Sequence, residues 1–150
     1  MRQVFLMILL MFVFTSIVFA DANSNRYTIT EPVSGEPIVK DEVTGLIWQK
    51  NYVGYKTWEQ TLRYCESVDY AGQTDWRLPD IHQLVSLRTL GRIDPATYFP
   101  DMPSEKFWSS TPTKNSMTDS RILFIDFQSG KISGGVTPYQ YFVRCVRDDS

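Results

Sequence analysis

One histidine, two cysteines and a scatter of carboxylates are the groups with which this 150-residue chain could do chemistry. His82 stands alone, with no Ser or Cys nucleophile assignable beside it, so the sequence indicates no catalytic dyad. Asp41, Asp75, Asp94, Asp101, Asp119 and Asp126 could supply the paired carboxylates of a glycoside hydrolase. Spacing alone does not bring them together, and Asp serves equally as a cap or turn residue. No G-x-S-x-G, H-E-x-x-H, P-loop or EF-hand pattern occurs. One His and two Cys build no His-rich or Cys-rich metal site, so neither metal nor cofactor is expected. A formal charge of −2 offers no electrostatic footprint for nucleic acid.

The cysteines take their meaning from the start of the chain. Arg2 is followed by an uncharged run from Val4 to Ala20, ending in small residues at Val18-Phe19-Ala20. This is the pattern of a signal peptide over residues 1–20, with Ala22 as a second cleavage point. An uncleaved anchor is the alternative, since about 18 apolar residues span a bilayer. With the leader cleaved, no membrane span is expected. Residues 21–150 then carry 14 basic and 17 acidic side chains, a net −3. Export places Cys65 and Cys145 in an oxidising compartment, where two cysteines admit one pairing. That bridge closes a loop of 80 residues, worth about 4 kcal/mol in the chain-entropy account.

The elements that must position these groups follow from pattern. Residues 21–38 are polar and punctuated by Pro32, Gly35 and Pro37, an extended lead-in to a domain over 39–150. A turn at Thr44-Gly45 precedes a short strand through Trp48. Thr57 and Gln60 have capping-box spacing, and Trp58, Leu62, Cys65 and Val68 share one helical face. Asp80 and Gln83 repeat the box before Ile81, Leu84, Val85 and Leu87, with Gly91 as the stop. Residues 92–106 contain three prolines and read as a long ordered loop. Strands are expected over Phe107–Thr111, Arg121–Gln128, Lys131–Val136 and, unbroken, Tyr141–Arg147, with a hairpin turn at Ser129-Gly130. Arg144 and Arg147 are placed on the solvent side or rim of that last strand. Trp48, Trp58, Trp76 and Trp108 each lie in an apolar run or a motif block and are assigned to the core. Asp75 and Arg77, flanking Trp76, are expected in an internal ion pair or backbone hydrogen bonds. Helices followed by antiparallel strands make an α+β plan.

The motifs D-E-V-T-G-L-I-W-Q, T-W-E-Q-T-L-R-Y-C, D-W-R-L-P-D-I-H-Q-L, F-W-S-S-T and Y-F-V-R-C-V-R occur in this order. Together they resemble the Lcl C-terminal domain family, named for the C-terminal domain of the Legionella collagen-like adhesin, over roughly residues 40–148. R-L-P followed by a helix also looks like the formylglycine-generating enzyme relatives, and both groups resemble the C-type lectin-like fold. The resemblance implies two helices on a twisted antiparallel sheet, N- and C-terminal strands side by side, and a helix-to-last-strand disulfide at Cys65 and Cys145. The calcium-sugar motifs E-P-N, Q-P-D and W-N-D are missing, Glu31-Pro32-Val33 being misplaced and lacking the amide. The paired active-site cysteines of formylglycine-generating enzymes are missing too.

What remains is an exported, non-catalytic binding or adhesion module, periplasmic or at the cell surface, with a glycan or an envelope or extracellular protein as partner. An envelope hydrolase with paired carboxylates and a structural subunit of an exported assembly are the alternatives. The named adhesin's association with sulfated glycosaminoglycans sits poorly with a net charge of −3. Ligand contacts are expected on the polar segments Pro112–Ser120 and Gly134–Gln140, through Lys114, Asn115, Tyr139 and Gln140. The loop at 92–106 is the second choice.

Overall fold

The computed structural model describes residues 25–32, 34–113 and 121–149. Its strands are β1 (Tyr27–Thr30), β2 (Ile38–Asp41), β3 (Leu46–Gln49), β4 (Val53–Lys56), β5 (Lys106–Pro112), β6 (Arg121–Asp126), β7 (Lys131–Val136), β8 (Tyr141–Val143) and β9 (Val146–Asp148). Helices α1 (Trp58–Ser67) and α2 (Ile81–Ser86) lie between β4 and β5. The plan is therefore α+β, but the single antiparallel sheet of the sequence reading is replaced by two. One has four antiparallel strands in the order β1-β2-β3-β9; the other has five, β4-β8-β5-β6-β7, and is mixed because β5 and β8 run parallel. Part of the polar lead-in is β1, which pairs with β2 from Tyr27↔Asp41 to Thr30↔Ile38. The C-terminal strand lies beside β3 rather than beside β1.

Both helices start where their caps predict. Thr57 and Asp80 each accept the amide of the third helical residue, and the Gln60 and Gln83 side chains return to the cap amides. Cys65 is fully buried on the inward face of α1. Thr61 is buried as well, its hydroxyl satisfied by donating to the Trp58 carbonyl at 2.7 Å. Helix α2 ends at Ser86, short of Gly91, because the Thr97 hydroxyl takes the Leu87 carbonyl as its acceptor and the chain turns away. Gly91 serves instead at a left-handed position (φ 78°) in the following loop. That loop is ordered by the Asp94 and Ala96 amides donating to Gln128 and Phe127 carbonyls, and it buries Ala96, Phe99 and Met102.

The largest departure from the sequence reading is at the end of the chain. Tyr141–Arg147 is not one strand: β8 belongs to the five-stranded sheet and β9 to the four-stranded one. The chain changes sheets at Arg144-Cys145, and there the disulfide to Cys65 anchors it (Cα–Cα 5.6 Å). Neither arginine lies on a solvent face: Arg144 sits at the crossing between the two sheets, and Arg147 is held against Asp75. Arg144 is 1% exposed and Arg147 is 8% exposed. Arg144 Nη1 donates to the Gln49 and Lys50 carbonyls, and its guanidinium lies 4.6 Å from the Phe99 ring centroid and 5.6 Å from Tyr52. Burial pulls this guanidinium down to about 9, against the opposing influence of Tyr52, Tyr70 and Asp101, so it is still a cation at neutral pH. Carbonyl dipoles and ring faces thus carry a charge the sequence assigned to water.

The core lies between the sheets and helices. One cluster unites Val39, Trp48, Leu84, Phe107, Ile125 and Val146; another surrounds the disulfide with Ile47, Tyr70, Trp76 and Val143. Trp48, Trp76 and Trp108 are buried, as their apolar settings predict, and Trp58 is half-buried. Asp75 pairs with Arg147 at 2.7 Å. The Arg77 backbone makes a two-way bridge to Val146, while its side chain reaches Gln83 and Asp148.

Candidate functional site

Side chains on one face of the five-stranded sheet form a third cluster built on Trp108, Ile122 and Phe124. Register places Trp108 opposite Phe124, and alternation puts Lys106 on the same face. From β8, Tyr141 brings its ring to 4.5 Å from Trp108 and 4.7 Å from Phe124. Tyr139 extends the row, 6.3 Å from Tyr141, and is 55% exposed. The Lys106 ammonium lies 5.5 Å from the Tyr141 ring and 5.7 Å from Phe124. Burial pushes the Tyr141 phenol up, with the neighbouring Tyr139 adding to the shift, so Tyr141 is a neutral hydrogen-bonding group at physiological pH.

The platform is held rigidly. Trp108 Nε1 donates to the Lys56 carbonyl and Trp58 Nε1 to the Ser109 carbonyl, each at 3.0 Å. Opposite them, β7 carries Gly135, where a Cβ would come within 2.8 Å of Trp108 Cη2 and 3.1 Å of Tyr141. The rings lie directly on the backbone there, and only glycine leaves them room.

Of the four residues expected to contact a ligand, the structure places Tyr139 and Gln140 at the exposed end of this row. Lys114 and Asn115 lie outside the described residues. Tyr141 is not among the expected contacts, because it sits inside a strand pattern that reads as scaffold; Lys106 ends the 92–106 loop, the second choice, and the structure places it at the start of β5. The available signal was the Gly134-Gly135 pair, which marks a close approach to a strand.

The carboxylates proposed as an acid/base set are each engaged separately. Asp41 takes both branches of the Arg26 guanidinium at 2.9 and 2.7 Å. Burial works against ionisation of Asp41, but Arg26, the Val43 amide and the Thr44 hydroxyl outweigh it and hold the carboxyl below the usual range. Asp75 pairs with Arg147, and Asp101 with Lys50 at 2.7 Å. Asp94 accepts from the Ser104 hydroxyl and Asp126 from the Gln128 amide. Asp119 lies outside the described residues. Among the described residues no group of three or more His, Cys, Asp or Glu is arranged to hold a metal ion. No helix among them is long and apolar enough to cross a membrane.

The sequence pattern of the Lcl C-terminal domain matches residues 37–147, from just before β2 into β9. The chain belongs to that family. The Lcl C-terminal domain match takes in both helices, both cysteines and the whole ring platform, and β1 precedes it. No curated protein shows a match to the chain. Membership in the Lcl family and the disulfide are both compatible with an exported protein.

Proposed function

We propose that this Lcl C-terminal domain is an exported, non-catalytic binding module of C-type lectin-like fold, and that it recognises a glycan through Tyr139, Gln140, Tyr141 and Lys106. The observation that carries the reading is the ring platform itself. Tyr139 stands in solvent on a stack of three further rings, with a lysine ammonium against the stack and an amide beside it. Tyrosines held this way give rigid, amphipathic contact area at small entropic cost. The lectin-like assignment is supported by two helices, a disulfide from α1 to the sheet-switching segment, and terminal strands in one sheet.

A panel of glycans and envelope proteins presented to the purified protein tests this. Saturable binding to a glycan is expected, lost in the double variant Tyr139→Ala/Gln140→Ala with an unchanged Tm. Binding to none of the panel, or glycan binding that survives the double change, overturns it.

A further inference from the structure

The opposite face of the five-stranded sheet carries α2, and between them lies a groove of about 570 Å³. This is within the range of small-molecule sites. Its walls are aliphatic and come from three elements: Ile81 and Val85 of α2, Leu123 of β6 and Ile132 of β7. Ile132, on the edge strand β7, is 45% exposed and leaves the groove open on that side. What is informative is that Ile132 is continuous with Ile81, Val85 and Leu123, a contiguous aliphatic lining of the kind that marks ligand-binding grooves.

The groove is polar at one end. His82 and Thr111 both sit at the first turn of α2, where the Thr111 hydroxyl oxygen accepts the Ile81 amide at 3.0 Å. That hydroxyl keeps its own proton to donate, and an imidazole donates from a ring nitrogen. Val85 lies one turn further along the helix. Gly134 lowers the neighbouring wall, since a Cβ there would come 3.1 Å from Thr113 Cγ2. Among the described residues that line the groove, none is a carboxylate, and Asp80, which caps the same helix, turns its carboxylate back onto the Gln83 amide.

We propose that this groove is a binding site for a linear aliphatic carboxylate, its chain laid along Ile81, Val85, Leu123 and Ile132 and its head group against His82 and Thr111. The site is independent of the ring platform, which faces the other way. It uses the chain's one histidine, which the glycan reading leaves without a role.

Decanoate is the probe, titrated into the full chain with the side-chain methyls of Ile81, Val85, Leu123 and Ile132 followed by NMR. Saturable shifts at these methyls are expected. Val85→Trp, which fills the groove, should abolish them while Tm holds. Decanol should bind about tenfold more weakly than decanoate, and His82→Ala should lower decanoate affinity about tenfold while leaving decanol unchanged. Absence of saturable shifts at these methyls overturns the site, as does binding indifferent to Val85→Trp. Equal affinity for decanoate and decanol overturns the head-group assignment. Methyl changes that depend on protein concentration and not on decanoate would assign the groove to a second copy of the chain and overturn the ligand.

Discussion

The two sheets are fastened by different physics. The four-stranded sheet is bound at its margins by ion pairs: Arg26–Asp41, Lys40–Asp149, Arg77–Asp148 and Arg147–Asp75, at 2.6 to 3.0 Å. The five-stranded sheet is bound by rings: Trp108, Phe124 and Tyr141 on one face, Phe107, Phe127 and Phe142 on the other. Each charge in those pairs already has its partner, whereas the row of rings runs out into solvent at Tyr139. The first arrangement locks the frame, and the second leaves binding capacity over. The comparison also predicts opposite sensitivities: acid loosens the first sheet, and an added methyl disturbs the second.

The deepest cut falls where the sheets meet. Cys145→Ser removes the bridge at the switch point, and a loss of about 2–5 kcal/mol is expected in chemical denaturation. Native protein should show no alkylatable thiol, given the Cys65–Cys145 bond. Next, Gly135→Ala should attack the ring-bound sheet alone, at a cost of about 1–3 kcal/mol with altered near-ultraviolet circular dichroism from Trp108. Unchanged stability would mean the rings shift freely and the platform is not rigid.

On the other sheet, Asp41→Asn should cost about 1–2 kcal/mol by weakening the Arg26 fork. Because the native Asp41 carboxyl is held low, its contribution is present at pH 5 and above. It is lost as pH falls from about 4 towards the lowered native value. Asp75 and Asp149 shift in the same direction through Arg147 and Lys40. Tm measured from pH 7 to 3 should therefore fall at the acid end, and less steeply in Asp41→Asn. The smallest effect belongs to Tyr139→Ala: stability within about 0.5 kcal/mol of the parent, with ligand binding abolished.

Local chemistry was readable in advance. The two capping boxes, the inward Cys65 and the tryptophan core each depend on residues close in sequence or on a composition rule, and each stands in the structure. The sheet plan was not readable, since alternation tells which face a strand buries and not which neighbour it takes. Arg144 is the sharpest case. Its burial makes sense only beside the carbonyls of Gln49 and Lys50, about 95 positions earlier in the chain, and nothing local in Y-F-V-R-C-V-R announces them. The ring platform was half legible for the same reason. Tyr139 and Gln140 stood out in a polar segment, while Tyr141 and Lys106 acquire their role only when β8 and β5 come together.

The sheet switch at Arg144-Cys145 also has a consequence in time. Until those residues arrive, Cys65 lacks its partner, β3 lacks the neighbour on its outer edge, and β4 and β5 lack the strand that joins them. A nascent chain that ends before Tyr141 therefore holds two unfinished sheets with their edges open, the condition in which chains mispair. One short segment, β8 to β9, closes both sheets together, so the domain should mature in a single late step rather than strand by strand.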